Sequence, residues 1–114
     1  MGLDITEAAL GRFLEAGEGP VVLVNLVRLK DGGEEAYRRY AEAVGPLLAK
    51  HEAELIYAGA AAGVLIGEDR WDLAAVTRYP SRAAVAALVR DPEFVASAPL
   101  RHAALDDGIL YAFA

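Results

Sequence analysis

An α+β fold, with helices laid on one face of a single antiparallel sheet, is the architecture that this sequence predicts. Three observations carry the prediction. Residues 21–30 (VVLVNLVRLK) are apolar on both alternating faces, as in a strand covered on both sides. Downstream, helical and strand-like periodicities alternate in the order helix, strand, strand, helix, strand. A length of 114 residues suffices for one hydrophobic core, so residues 1–114 read as a single domain, with 1–19 as a helical extension and 20–114 as the core.

Each element follows from local chemistry. Residues 4–17 predict a leading helix: Asp4 and Glu7 have capping-box spacing, Leu10, Phe13 and Leu14 form an apolar stripe, and Gly17 is a stop. Gly19-Pro20 breaks the chain before the first strand. There Val21, Leu23, Asn25, Val27 and Leu29 share one face, and Val22, Val24, Leu26, Arg28 and Lys30 the other. The turn signal Asp31-Gly32-Gly33 precedes an amphipathic helix over 34–52, which Pro46 is expected to kink or split after Gly45. Residues 54–62 read as a second strand that Gly63 bends and 64–66 continue. Residues 67–70 make a turn, and 71–79 form a third strand. Ser81 caps an alanine-rich helix through Val89, and Asp91-Pro92-Glu93 starts another that resumes after Pro99. Asp106-Asp107-Gly108 is expected to turn the chain into a last strand over 109–113.

Omitting the leading helix, the order is strand, helix, strand, strand, helix, strand, the ferredoxin-like arrangement. Right-handed crossovers put both helical layers on one face of the sheet. The other face is left bare and apolar, which predicts a homodimer through the sheet face that the helices do not cover.

Composition excludes several functions. Without cysteine there is no disulfide, thiolate metal site or cysteine nucleophile. The net charge of −6, with arginines scattered among acids, argues against a nucleic-acid partner. No membrane partner is expected either: no basic leader precedes an apolar run, no stretch approaches a membrane span, and a cytoplasmic location is the default expectation. Two histidines far apart in sequence give no metal-ligand spacing, and no glycine-rich phosphate loop or nucleophile elbow is present, so no metal or cofactor is expected.

The segments Val24-Asn25-Leu26, Trp71 through Ser81, Asp91-Pro92-Glu93-Phe94 and Arg101 together resemble the domain of unknown function 1330 (DUF1330) family, from about Val21 to the C-terminus. The resemblance implies membership of the dimeric α/β barrel superfamily, hence a dimer, but implies no reaction. Cofactor-free monooxygenases of that superfamily use Asn, Trp and His or Tyr in a small pocket. Asn25 and Trp71 are compatible with such a set, although no histidine stands at a matching position.

Among candidate site residues Asn25 is the sharpest, since an amide on an apolar strand face costs about 1–3 kcal/mol if buried unpaired. It either makes a structural bond or orients a ligand. Arg28 and Arg78, at opposite ends of neighbouring strands, are read in two ways. Arg28 pairs with Asp72 across the ladder, or one of the two arginines reaches the sheet-helix cavity to clamp a carboxylate. Tyr37, Tyr40 and Tyr57 are packing residues first and pocket walls second, and Trp71 is a packing residue first and a lid over a flat ligand second. His51 and His102 are weak proton-transfer candidates, and His102 as a haem ligand is a remote analogy. The expected function is binding of a small organic, possibly anionic, molecule through Asn25, Arg28, Tyr37, Trp71 and Arg78. A cofactor-independent oxygenase or isomerase is its enzymatic version, and a non-catalytic dimeric module is the alternative.

Overall fold

A computed structural model describes residues 3–114, so the first two residues of the expected extension lie outside the described part. The elements run α1 (Glu7–Glu15), β1 (Val21–Leu29), α2 (Glu34–Lys50), β2 (Glu54–Ala60), β3 (Leu73–Tyr79), α3 (Arg82–Val89), α4 (Pro92–Ala96), α5 (Ala98–Ala104) and β4 (Leu105–Phe113). The strands form one open antiparallel sheet in the order β2-β3-β1-β4, with β1 inside. This is the predicted ferredoxin-like α+β topology; a barrel is not closed within one chain.

Parity along β1 decides which face is covered. Val21 and Leu23 pack with Leu47 of α2, Val85 and Leu88 of α3, Phe13 of α1 and Phe94 of α4, while Val27 packs with Tyr37 of α2 and Ala104 of α5. The odd-numbered face of β1 therefore carries the helical layer. The even-numbered face carries Val22, Val24 and Leu26 beside Val76 of β3 and Ile109, Tyr111 and Phe113 of β4. No helix covers it: Tyr111 and Phe113 stack at 6.4 Å and are largely exposed, as is Tyr57 on β2.

Caps at Ser81 and Asp91 form as the sequence predicts: Ser81 Oγ accepts from the Ala84 N–H at 3.0 Å, and Asp91 Oδ1 from the Glu93 N–H at 2.9 Å. Gly33, at the N-terminal end of α2, is required for close approach. A Cβ there would stand 2.5 Å from the Ala104 carbonyl oxygen, where α5 crosses the start of α2.

Several expectations are corrected. Thr6 rather than Asp4 caps α1, its Oγ1 accepting from the Ala9 N–H at 3.1 Å. Its position directly before the first helical turn puts the hydroxyl in reach, and Asp4 is released to other partners. α2 is continuous through Pro46; the preceding Gly45 has no Cβ to clash with the proline ring, which removes one of the two obstacles. α5 begins at Ala98 with Pro99 in its first turn, where a missing N–H costs nothing. β2 stops at Ala60 and residues 64–66 leave the sheet, with Leu65 and Ile66 98–99 % exposed. β3 starts at Leu73, not Trp71. Asp106, Asp107 and Gly108 lie inside β4, where a register shift at Arg28/Leu29 absorbs the extra residue as a bulge.

Candidate functional site

The sheet and its helical layer do not close on one another completely. Between them lies a cavity of about 560 Å³, within the range of small-molecule sites. Its floor is the helix-facing side of β1 and β4, through Leu23, Asn25, Val27, Leu110 and Ala112. Tyr37 and Tyr40 of α2 form one wall, Phe94 and Arg101 of α4 and α5 another. The leading segment supplies the rest, from Leu3 through Thr6 and Leu10 to Phe13. The extension is thus part of the site: Leu10 is fully buried, and Arg82 of α3 fixes the end of α1 by donating to the Phe13 carbonyl at 2.9 Å.

Asn25 stands mid-strand, opposite Ala75 on one side and Leu110 on the other. Its side chain enters the cavity, and among the described residues no hydrogen bond engages it. The structural partner that an amide on this face would otherwise need is missing, so its donors and acceptor are open to the cavity. Tyr37 lines the same cavity and packs on the cluster that contains Val27, the next residue after Asn25 on that face of β1. Burial, and secondarily Tyr40, push the Tyr37 hydroxyl pKa up, so it stays protonated and donates at neutral pH. The two tyrosine rings sit 6.1 Å apart and tilted.

Arg101 is the cavity's cation, and it is already engaged. Its Nε donates to the Leu3 carbonyl at 3.1 Å, Nη1 to the Tyr40 hydroxyl at 3.3 Å, and Nη2 to the Asp4 carboxylate. The guanidinium also lies over the rings of Tyr40 and Phe94, at 5.5 and 5.4 Å. Burial disfavours its charge, but the bonds to Asp4 and Tyr40 outweigh burial and hold its pKa above the ordinary value. Arg101, with His102 at 2.8 Å, holds the Asp4 carboxyl below the usual range.

The other sequence candidates lie elsewhere. Val22 pairs with Arg78, so Arg78 shares the even-numbered, uncovered face with Arg28, and neither arginine reaches the cavity. The expected Arg28–Asp72 pair does not form either. Asp72 Oδ2 accepts the Leu29 N–H at 2.8 Å, beyond the last β3 partner of β1, and Arg28 falls in register with Asp107, which Arg70 binds at 2.6 Å. Trp71 precedes β3 and borders a small recess with Leu26 and Tyr57, away from the cavity, its ring beneath Arg70. Neither histidine lines the cavity. His51 Nε2 is 2.8 Å from Asp91 Oδ2, and His102 binds Asp4 at the rim.

Arg101 and Asp4 are the site residues that the sequence did not reveal: Arg101 stood in the family-like pattern but had no predicted partner, and Asp4 read as a helix cap. Among the described residues no group of three or more His, Cys, Asp or Glu side chains is placed to hold a metal ion, and no helix is long and apolar enough to cross a membrane.

Comparison with known proteins identifies the family and the fold. The family described as "Domain of unknown function (DUF1330)" matches residues 22–112. A solved protein of unknown function from Rhodopseudomonas palustris, RPA0582, is 30% identical, with a TM-score of 0.85 over 97% of this chain and 94% of its own. Two more distant structures share the fold. A dimeric ferredoxin-like protein of unknown function from Thermobifida fusca is 20% identical, with a TM-score of 0.60 over 84% of this chain and 91% of its own. A second such dimeric protein, from Jannaschia sp., is 11% identical, with a TM-score of 0.70 over 84% and 99%. No curated protein matches the sequence.

Proposed function

The chain belongs to the DUF1330 family, and on that premise we propose that it binds a small organic molecule in the cavity beside Asn25, as a homodimer whose uncovered sheet faces pack on one another. The observation that carries the reading is an unpartnered amide on the floor of a cavity that is otherwise mostly apolar. Such a site takes up most of a ligand's surface by desolvation and fixes its orientation with a few polar groups. Asn25 and Tyr37 are those groups. Each is a neutral donor able to bond a ligand oxygen, the polarisation that a cofactor-independent isomerase or oxygenase would require of a carbonyl substrate. Arg28, Trp71 and Arg78 belong in this reading to the dimer face and its rim. An inert module with purely structural polar residues leaves the open Asn25 amide unexplained.

Replacement of Asn25 by leucine separates the two readings. Leucine fills similar volume and removes a polar group that has no partner among the described residues, so the melting temperature is expected to hold or rise. Affinity for cavity ligands found by thermal-shift screening of aromatic fragments is expected to fall about tenfold or more. A fall in stability of the unliganded protein, with fragment binding unchanged, would assign Asn25 a structural role instead.

A further inference from the structure

The cavity's charge decides which class of molecule it takes. Among the described residues that line it, only Asp4 and Arg101 are charged, and they are paired with each other. A guanidinium has five N–H donors. In Arg101 three are committed, to Leu3, Tyr40 and Asp4, while the rings of Tyr40 and Phe94 border it. The side chain of Arg101 is only 12 % exposed, whereas that of Asp4 is about half exposed at the rim. An entering carboxylate would therefore have to displace Asp4, or sit beside it in a poorly solvated space where like charges repel. An uncharged ligand meets no such obstacle. The neutral polar groups open to it, the Asn25 amide and the Tyr37 hydroxyl, suit a carbonyl or hydroxyl oxygen.

We infer that the cavity selects an uncharged aromatic or alicyclic carbonyl compound, and that Asp4, by neutralising Arg101, is the residue that sets this selectivity. The inference rests on the proposed small-molecule binding. It reverses the expectation of an anionic ligand, which depended on Arg28 and Arg78 reaching the cavity. Asp4 acts here as a built-in counter-ion: it anchors the leading segment over the cavity and neutralises the charge on which a ligand carboxylate would bind. Its removal is expected to turn the same cavity into a carboxylate site.

The test uses fragments matched in shape and differing in charge: cinnamamide with cinnamate, and 2-naphthamide with 2-naphthoate. Affinities are measured by NMR titration at about pH 8, where an ordinary imidazole is neutral. The unmodified protein is expected to prefer the amide of each pair by about tenfold. Asp4→Asn, which keeps a hydrogen-bonding side chain beside Arg101, is expected to abolish or invert that preference. Equal affinities or a preference for carboxylates in the unmodified protein would overturn the inference while leaving small-molecule binding intact, and this arm does not depend on the variant's folding. An unchanged amide preference in folded Asp4→Asn would remove Asp4 as the determinant. If neither member of either pair perturbs any cavity residue, the binding proposal itself fails.

Discussion

Substitution of Val24 by aspartate is expected to leave a folded monomer in place of the proposed dimer. Val24 lies on the central strand of the uncovered face, between Val76 and Tyr111, surrounded by Val22, Leu26, Ile109 and Phe113. A standard interface buries about 800 Å² per partner. A carboxylate at its centre cannot reach water in the dimer. Burying a polar group without a partner costs about 2–3 kcal/mol, more when it is ionised. A two-fold axis imposes that cost twice, so the dissociation constant is expected to rise about a thousandfold or more. In the monomer the side chain points away from the helical layer into solvent, and the helix content should be retained. Light scattering after size exclusion reads the mass, and circular dichroism the fold. A Val24→Asp protein that remains dimeric would move the interface off this face.

The second large effect is expected at Asp91, away from the cavity. Its buried carboxylate binds Lys50 Nζ and His51 Nε2, each at 2.8 Å, and caps α4 through the Glu93 N–H. One side chain thus ties the C-terminal end of α2 to the start of α4, which carries Phe94 toward the cavity. The Lys50 bond above all, then His51 and the Glu93 N–H, holds the carboxyl well below the ordinary carboxylate range. A group whose folded pKa is depressed stabilises the protein above its unfolded pKa, near 3.9, and loses that contribution as pH falls toward the folded value. Stabilisation from Asp91 is therefore complete at neutral pH and is lost progressively below about pH 4. Asp91→Ala is expected to lower the melting temperature at pH 7 by about 5–10 °C, since it removes a helix cap and leaves the largely buried His51 ring unpartnered. Asp91→Asn preserves a capping oxygen but should flatten the acid limb of the stability curve. A melting temperature unchanged in Asp91→Ala would show that the link contributes nothing.

The sequence made the architecture legible because period and punctuation agreed along most of the chain. The doubly apolar β1, the Ser81 and Asp91 caps and the apolar pattern of β4 each pointed to one topology, and the bare face followed from crossover handedness alone. Boundaries failed where tertiary contacts overrode local signals. Asp106-Asp107-Gly108 has the composition of a turn, but a bulge opposite Arg28 and Leu29 draws it into β4. Pro46 signals a break that the surrounding helix withstands.

The site was legible only in part, for a comparable reason. Asn25 was identifiable because a polar group on an apolar face is anomalous within its own element, and Tyr37 because it falls on the inner stripe of its helix. Arg28 and Arg78 were equally conspicuous, yet parity places them with Val22 and Val24 on the uncovered face. That assignment required knowing which face the helices choose. Asp4 and Arg101 are 97 positions apart, and only the folded leading segment brings them together. Nothing in the local sequence around either residue signals the other.

The most direct test of the central claim is an NMR titration of the isotope-labelled native protein with the aromatic amide fragments, following the Asn25 side-chain amide. Binding in the sheet-helix cavity predicts saturable shifts of the Asn25 side-chain NH₂ and of Tyr37, with the Trp71 indole and the Arg28 and Arg78 side chains unmoved. Shifts confined to Trp71, Arg28 and Arg78, with Asn25 unmoved, would contradict it.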